Sequence, residues 1–143
     1  MADSVELRPG VRALDHTADL GFEVRAESLS ELFHRAAAGM MALIWEGVGL
    51  ERGRAVRQIE LEAEDVGSLL VLWLRELLYL QQVRGFAYSS ADFERLSERK
   101  LRARVRGGRV REPPVRELKG VTYHDLEVRL EGGEWVARVI FDV

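Results

Sequence analysis

Three residues that could bind a divalent cation lie close together near the start of the chain. Asp15, His16 and Asp19 fall within the segment LDHTADLGF, where one predicted strand ends and the next begins. Hard cations such as calcium and magnesium take carboxylate oxygens, so two aspartates on a turn could act as ligands. The alternative is that these side chains hydrogen-bond local backbone amides, and that His16 is a half-buried histidine sharing the parity of Leu20 and Phe22. The segment alone leaves both interpretations open.

The end of the sequence carries a second group of oxygen donors. The apolar residues of the last predicted strand share one face with Val143, and Asp142 lies on the other face, beside the terminal α-carboxylate. Two adjacent anionic donors could bind calcium or magnesium if a further carboxylate approaches. The alternative is a frayed, solvated terminus. Because the apolar face runs to the last residue, we expect this end to be docked.

A third polar cluster, residues 122–125, lies at the start of another predicted strand. His124 has the parity of Leu126 and Val128, which favours a structural hydrogen bond over a ligand role. The sequence contains no Gly-rich phosphate loop, no Gly-x-Ser-x-Gly elbow and no His-Glu-x-x-His motif. From the residues alone, the chain has a plausible oxygen-ligand metal site and no complete catalytic apparatus.

The composition is that of an ordinary globular protein. The chain has 143 residues, of which 47% are apolar and 31% charged, and this length suits a single domain. The absence of cysteine excludes disulfides, thiolate metal sites and a cysteine nucleophile. The first ten residues lack an apolar targeting segment, and no apolar run is longer than the six residues of 69–74, which is too short to span a bilayer. We therefore expect a cytoplasmic protein without membrane contact.

The formal net charge of −3 hides a strongly basic segment. Residues 95–119 contain ten basic and three acidic side chains, a local charge of +7 that leaves −10 for the remainder. Within this segment four basic residues alternate with apolar ones on a predicted strand; we call them the basic strip: Lys100, Arg102, Arg104 and Arg106. The strip could contact a partner or RNA phosphates. A solvated strand face, or protection against edge-to-edge aggregation, explains it equally well.

Hydropathy and capping signals predict the elements that must position these residues. Alternation predicts a strand over 20–26, and Ser28 with Glu31 then resembles a capping box that opens an amphipathic helix ending near Gly47. A strand over 56–61 precedes a second helix, which Asp65 caps and which ends near residues 83–85. Further strands are predicted over 86–96, 100–106, 121–130 and 134–143, the last two joined at Gly132-Gly133. This order favours an α+β fold, a single domain of mainly antiparallel sheet with two helices.

Three segments of the chain together resemble the archease family. They are LDHTADLGFEVRAESLSELFHRAAAGMMALI near the start, EAEDVGSLLVLWLRELLYL in the middle, and LKGVTYHDLEV with VIFDV at the end. The resemblance runs from Leu14 to Val143, so residues 1–13 form an N-terminal extension of a single archease-like domain spanning 1–143. It implies a small α+β protein.

The resemblance also implies a function and a site. Archeases are protein cofactors, not enzymes, of the RtcB-type tRNA-splicing RNA ligase, and they promote ligase guanylylation and multiple turnover. The family has a divalent metal site, in which we expect calcium to be the ion observed. That site corresponds here to Asp19, Asp142 and the backbone carboxylate of Val143. Asp15 and His16 are given supporting roles. Direct RNA contact through the basic strip stays open.

Two other function classes are compatible with the sequence. A general chaperone or interaction module would use the basic strip together with an exposed apolar patch. A small metal-dependent hydrolase would use the carboxylates near the two ends, but the lack of a clear general base argues against it.

Overall fold

The computed structural model describes residues 5–14, 20–46 and 53–143 of the chain. Within these ranges the elements follow the order β1 (Glu6–Arg8), β2 (Val11–Ala13), β3 (Leu20–Ala26), α1 (Leu29–Ile44), β4 (Ala55–Glu62), α2 (Val66–Arg84), β5 (Ala87–Leu96), β6 (Lys100–Gly108), β7 (Gly120–Val121), β8 (Glu127–Glu131) and β9 (Glu134–Asp142). The predicted α+β class, with two helices and antiparallel strands, is confirmed.

The strands form two antiparallel sheets. The larger sheet has the order β1-β2-β3-β9-β7, and β8 also pairs with β9. The smaller sheet has the order β4-β6-β5, so the strand that carries the basic strip is its central member. Buried side chains of both sheets and both helices form one continuous apolar core. Neither helix in the described part of the chain is long and apolar enough to cross a bilayer.

Both helices begin directly after the predicted N-cap residues, and α2 ends at the predicted Gly85. The first helix ends at Ile44, before the stop predicted near Gly47, which lies outside the described residues. The Ser28 hydroxyl accepts a hydrogen bond from the Glu31 amide at 3.2 Å, and the Asp65 carboxylate accepts one from the Ser68 amide at 2.8 Å. Gly85 ends α2 in the left-handed conformation, with φ of 66°, which glycine adopts without a Cβ penalty. These local contacts satisfy backbone groups at the helix ends and so fix the helix boundaries.

Packing between the helices is anchored by one buried tryptophan. Trp73 on α2 is fully buried, and its indole N–H donates to the Phe33 carbonyl oxygen of α1 at 3.0 Å. Its ring also makes an edge-on contact with Tyr88 of β5, with centroids 5.9 Å apart. The prediction that α2 is central and buried on most sides is confirmed, although Tyr79 and Val83 are exposed.

The longest-range strand pairing joins β3 to β9. Leu20 lies opposite Phe141 and Ala26 lies opposite Trp135, so the start of β3 adjoins the end of β9. Phe22 packs edge to face against Phe141, with ring centroids 5.1 Å apart. This pairing places β3, near the start of the archease-like region, next to β9, at its end.

The single strand predicted over 121–130 is wrong. The chain forms β7 and β8 instead, separated by a turn in which Asp125 adopts a positive φ of 50°. The Thr122 hydroxyl accepts from the His124 amide at 3.2 Å, and the Leu126 amide donates to the Tyr123 carbonyl at 3.2 Å. These local hydrogen bonds compete with the ladder, as polar side chains commonly do.

The N-terminal segment before Leu14 contributes to the larger sheet. β1 and β2 form a hairpin whose turn contains Pro9 and Gly10, and β2 pairs with β3. Gly10 has φ of +76°, a conformation that side-chain-bearing residues rarely adopt. The hairpin therefore extends the sheet by two strands on the side away from β9.

Candidate metal centre

Asp142 is the last residue of β9 and is held there by β7. Its carbonyl oxygen accepts from the Lys119 amide at 2.7 Å, and Gly120 lies opposite it in the strand register. The side chain of Asp142 is exposed to solvent. Within residues 5–14, 20–46 and 53–143, no hydrogen bond or ion pair engages its carboxylate. The fold thus fixes the backbone of Asp142 and leaves its carboxylate oxygens accessible.

The docking expected for the end of the chain is confirmed through Asp142. The alternation of the sequence predicts that one face of β9 is buried. In the structure Phe141 and Ile140 are both buried, so both faces of β9 are covered near this end. The reason is that β9 is an interior strand, with β3 on one side and β7 and β8 on the other. Val143 lies beyond the strand, and its side chain is 58% exposed, so it does not share the buried face.

Three predicted site residues, Asp15, His16 and Asp19, lie outside the described residues. The described chain resumes at Leu20, which pairs with Phe141, the neighbour of Asp142. Among the residues that are described, no group of three or more His, Asp or Glu side chains could hold a metal ion. The described donors at this edge are therefore the carboxylate of Asp142 and the adjacent Val143.

The chemistry of these donors suits a hard cation. Carboxylate oxygens are the ligands that calcium and magnesium prefer, and the chain has no cysteine for a softer metal. Asp142 is exposed, and no salt bridge to another described residue would have to be broken before it bound a cation. A cation would still require donors beyond these two residues, because calcium takes six to eight oxygens.

His124 does not contribute to this group. It lies in the turn between β7 and β8, is exposed, and places its Nε2 3.3 Å from the carboxylate of Asp125. The strand parity on which its structural role was predicted does not apply, because residues 122–126 do not form a strand. The contacts of His124 are nevertheless local and structural, with its amide donating to the Thr122 hydroxyl.

The basic strip occupies the solvent-facing side of β6, as its alternation predicts. In the register Lys100 lies opposite Glu62, Arg102 opposite Glu60 and Arg104 opposite Asp92. Two ion pairs join the basic strip to the neighbouring strands. Arg102 pairs with Glu60 of β4 at 2.9 Å, and Arg106 pairs with Asp92 of β5 at 2.5 Å. The neighbouring strands therefore neutralise two of the four strip residues, a pattern that the local sequence could not reveal.

A histidine and a tyrosine that the sequence did not link contact each other at the side of the apolar core. Nδ1 of His34 on α1 lies 2.8 Å from the hydroxyl of Tyr88 on β5, and Tyr88 is fully buried. Burial and the nearby charge of Arg35 lower the pKa of His34, against a smaller opposing influence from Glu31. The two residues are 54 positions apart, so no local motif could have joined them.

Comparison with known sequences finds one family across nearly the whole chain. The model of the Archease protein family (MTH1598/TM1083) matches residues 12–143. A protein archease from Archaeoglobus fulgidus is 37% identical over 137 residues, covering 92% of this chain and 98% of the relative. One from Pyrococcus abyssi is 33% identical over 138 residues, covering 90% and 95%.

Comparison with solved structures agrees with these matches. The solution structure of protein 1598 from Methanobacterium thermoautotrophicum superposes with a TM-score of 0.74 at 30% identity, covering 95% of this chain and all of that one. The crystal structure of an archease from Thermotoga maritima has a TM-score of 0.66 at 22% identity, covering 91% and 94%, and so supports the fold.

Proposed function

The chain belongs to the archease family, and on that premise we propose that it is a non-enzymatic activator of an RtcB-type RNA ligase, promoting guanylylation and multiple turnover of the ligase. The observation that carries this proposal is the exposed Asp142 carboxylate at the end of β9, unmatched by any described side chain. A charged group that the fold positions and that no described residue neutralises is available to bind a ligand.

The metal site that we propose combines three groups. Asp142 and the terminal carboxylate of Val143 would come from the end of β9, and Asp19 from the residue that precedes β3 in the sequence. Asp15 and His16 would support them. The register in which Leu20 faces Phe141 supports this combination, because it brings the start of β3 to the end of β9. We expect the isolated protein, without the ligase, to bind calcium at this site.

Rigidity of the strand end is the contribution of the surrounding chain. The Lys119 amide holds the Asp142 carbonyl, and Phe141 is packed against Phe22, so the backbone on which the carboxylate stands is fixed from two sides. A bound divalent cation would supply positive charge that stabilises negative charge developing during nucleotidyl transfer. Pre-positioned ligands lower the cost of ordering the site on binding.

The test is guanylylation of the cognate ligase with and without this protein, in metal-replete and chelated buffer. We expect activation with the wild-type chain in metal-replete buffer, and its loss on chelation, on deletion of Val143 and in Asp19→Ala. Glu98→Ala, an exposed loss of a carboxylate in the turn between β5 and β6, is the matched control and should activate fully. Circular dichroism and thermal melting verify that each variant is folded. Full activation by both site variants would contradict the metal mechanism.

The same preparation separates the two other function classes. A general chaperone would suppress aggregation of unrelated client proteins, and chelation would not alter that effect. A metal-dependent hydrolase would turn over a phosphoester without the ligase. Either result, in the absence of ligase activation, would replace the proposed function.

A further inference from the structure

A cleft of about 1100 Å³ lies beside β1, an edge strand of the larger sheet. It opens over α1, between the β1–β2 hairpin and the edge of the smaller sheet, and its charged and polar lining includes Arg8, Glu31, His34, Arg35, Tyr88 and Arg106. β1 is three strand spacings from β9, roughly 14 Å across the sheet. The cleft is therefore separate from the candidate metal centre.

Three guanidinium groups from three different elements converge on this cleft. Nη1 of Arg8 donates to the Leu7 carbonyl at 2.8 Å, and Nη1 of Arg106 contacts Asp92 at 2.5 Å. Nη1 of Arg35 donates to the Arg25 carbonyl at 2.7 Å and also lies 3.4 Å from a carboxylate oxygen of Glu31, so an incoming anion competes with Glu31 for this group. Each guanidinium has five N–H donors, so these contacts orient the groups and leave further donors for an anion.

The β1–β2 turn is shaped to admit Arg35. A Cβ at Gly10 would lie 2.5 Å from Nη1 of Arg35 and 2.7 Å from the Arg25 carbonyl oxygen that this nitrogen contacts. Both distances are shorter than real Cβ contacts allow. The position of the Arg35 guanidinium at the cleft thus depends on a glycine in the hairpin that also carries Arg8.

The imidazole of His34 adds a donor whose state responds to a bound anion. Burial raises the pKa of Tyr88, so its hydroxyl stays protonated and can donate to Nδ1 of His34. In that tautomer Nε2 carries the proton, and it projects away from Nδ1 and its buried partner. Burial and Arg35 lower the pKa of the free imidazole, while Glu31 opposes them. A bound anion would raise it again.

We propose that this cleft binds a phosphorylated small molecule of nucleotide size through its phosphate, held by Arg8, Arg35 and His34. Guanidinium groups match the oxygens of a phosphate, and they outnumber the acidic lining residue Glu31. The volume far exceeds what one phosphate fills and is slightly above the range of about 300–1,000 Å³ that is typical of small-molecule sites. Pro9 and Ala38 add apolar lining for the remainder of such a ligand.

Histidine NMR gives a site-specific test, because the chain has three histidines. The full chain is titrated in chelating buffer with AMP, with adenosine and with inorganic phosphate. We expect AMP to shift the His34 ring signals and raise the pKa of His34, and adenosine to do neither. Inorganic phosphate should bind more weakly than AMP and so identify the nucleotide as the preferred source of the phosphate. Equal responses to AMP and adenosine, or no response up to about 10 mM, would overturn the proposal.

Two arginine variants test the residues. Arg8→Gln removes one guanidinium from the hairpin and should weaken AMP binding about tenfold. Arg104→Gln removes a guanidinium on β6 outside the cleft and should leave AMP binding unchanged. Equal effects of the two variants would assign AMP binding to general surface charge and overturn the proposal. Because these measurements use chelator and no ligase, they are independent of the activation assay.

Discussion

The end of β9 and the exposed face of β6 differ in whether neighbouring strands place opposite charges beside their charged side chains. On β6, the register places acidic residues opposite three of the strip's cations, and Arg102 and Arg106 form ion pairs across the strands. At the end of β9, the residue opposite Asp142 is Gly120, which has no side chain to offer. Strand register therefore decides which charges are satisfied within the fold and which stay available to a ligand.

This difference could not be inferred from the number of charges in either region. The segment containing the basic strip carries a local charge of +7, yet two of the four strip residues form ion pairs with neighbouring strands. Asp142 is a single carboxylate, and no described side chain neutralises it. A carboxylate without a described partner is a better candidate for ligand binding than arginines that already form ion pairs, such as Arg102 and Arg106.

The largest expected effect concerns the packing beneath the unmatched carboxylate. Phe141→Ala removes a buried ring that contacts Phe22, and we expect the free energy of unfolding to fall by about 3–5 kcal/mol. Denaturant titration measures the loss. Leu130→Ala on β8, where the side chain is 61% exposed, is the control and should change stability by no more than about 0.5 kcal/mol. Similar losses in both variants would show that the end of β9 is not rigidly packed.

Replacing the unmatched charge tests the comparison directly. Asp142→Asn keeps the size of the side chain and removes its charge, and we expect calcium affinity to fall about a hundredfold. Isothermal titration calorimetry measures the dissociation constant. Arg104→Gln serves again as the control and should leave calcium binding unchanged. A calcium affinity that is the same in Asp142→Asn as in the wild-type chain would remove Asp142 from the proposed site.

Much of the fold could be predicted because its signals are local. Ser28, Asp65 and Gly85 mark helix ends through contacts within a few residues, and Gly132-Gly133 marks the last hairpin, where both φ values are positive. The break between β7 and β8 was missed because hydropathy suggests a continuous strand. There, side-chain and backbone hydrogen bonds within residues 122–126 override the alternation.

The candidate sites depend on contacts that no local pattern encodes. The sequence indicated oxygen donors at Asp142, but the β3–β9 register joins segments more than 100 residues apart. Only the resemblance linked Asp19 to that end. The His34–Tyr88 contact and the ion pairs of the basic strip likewise cross between elements. Pairings of this kind follow from the tertiary fold rather than from residue spacing.

A smaller effect is expected on the matched side of the comparison. Arg102 and Glu60 are both more than half exposed, and an exposed ion pair contributes little after solvent screening. A double-mutant cycle with Arg102→Gln and Glu60→Gln should give a coupling energy below about 1 kcal/mol, decreasing with added salt. Thermal or chemical denaturation provides the four stabilities. A salt-independent coupling of several kcal/mol would mean that the strip is a major source of stability.

The smallest effect belongs to His34, which lies outside both regions. Its pKa in the folded chain is lowered by burial and by Arg35, so below about pH 6.5 the unfolded chain binds more protons at this residue. The associated stability is present above that pH and is lost as pH falls through the unfolded value towards the folded one. His34→Gln should flatten the decline in unfolding free energy between pH 7 and 5, with His124→Gln as the matched control. Identical slopes in wild type and His34→Gln would contradict this origin.

The interior position of β9 also has a consequence for the time at which the larger sheet assembles. Leu20 and Phe141 are 121 positions apart, and β9 separates β3 from both β7 and β8. The chain loses the entropy of closing so long a loop before the contacts between β3 and β9 can offset it. Topologies of this kind fold slowly. During synthesis β3 must wait for its neighbour until Phe141 has left the ribosome. We therefore expect Asp142 to reach its final position after the helices form, so that the carboxylate edge is completed among the last steps of folding.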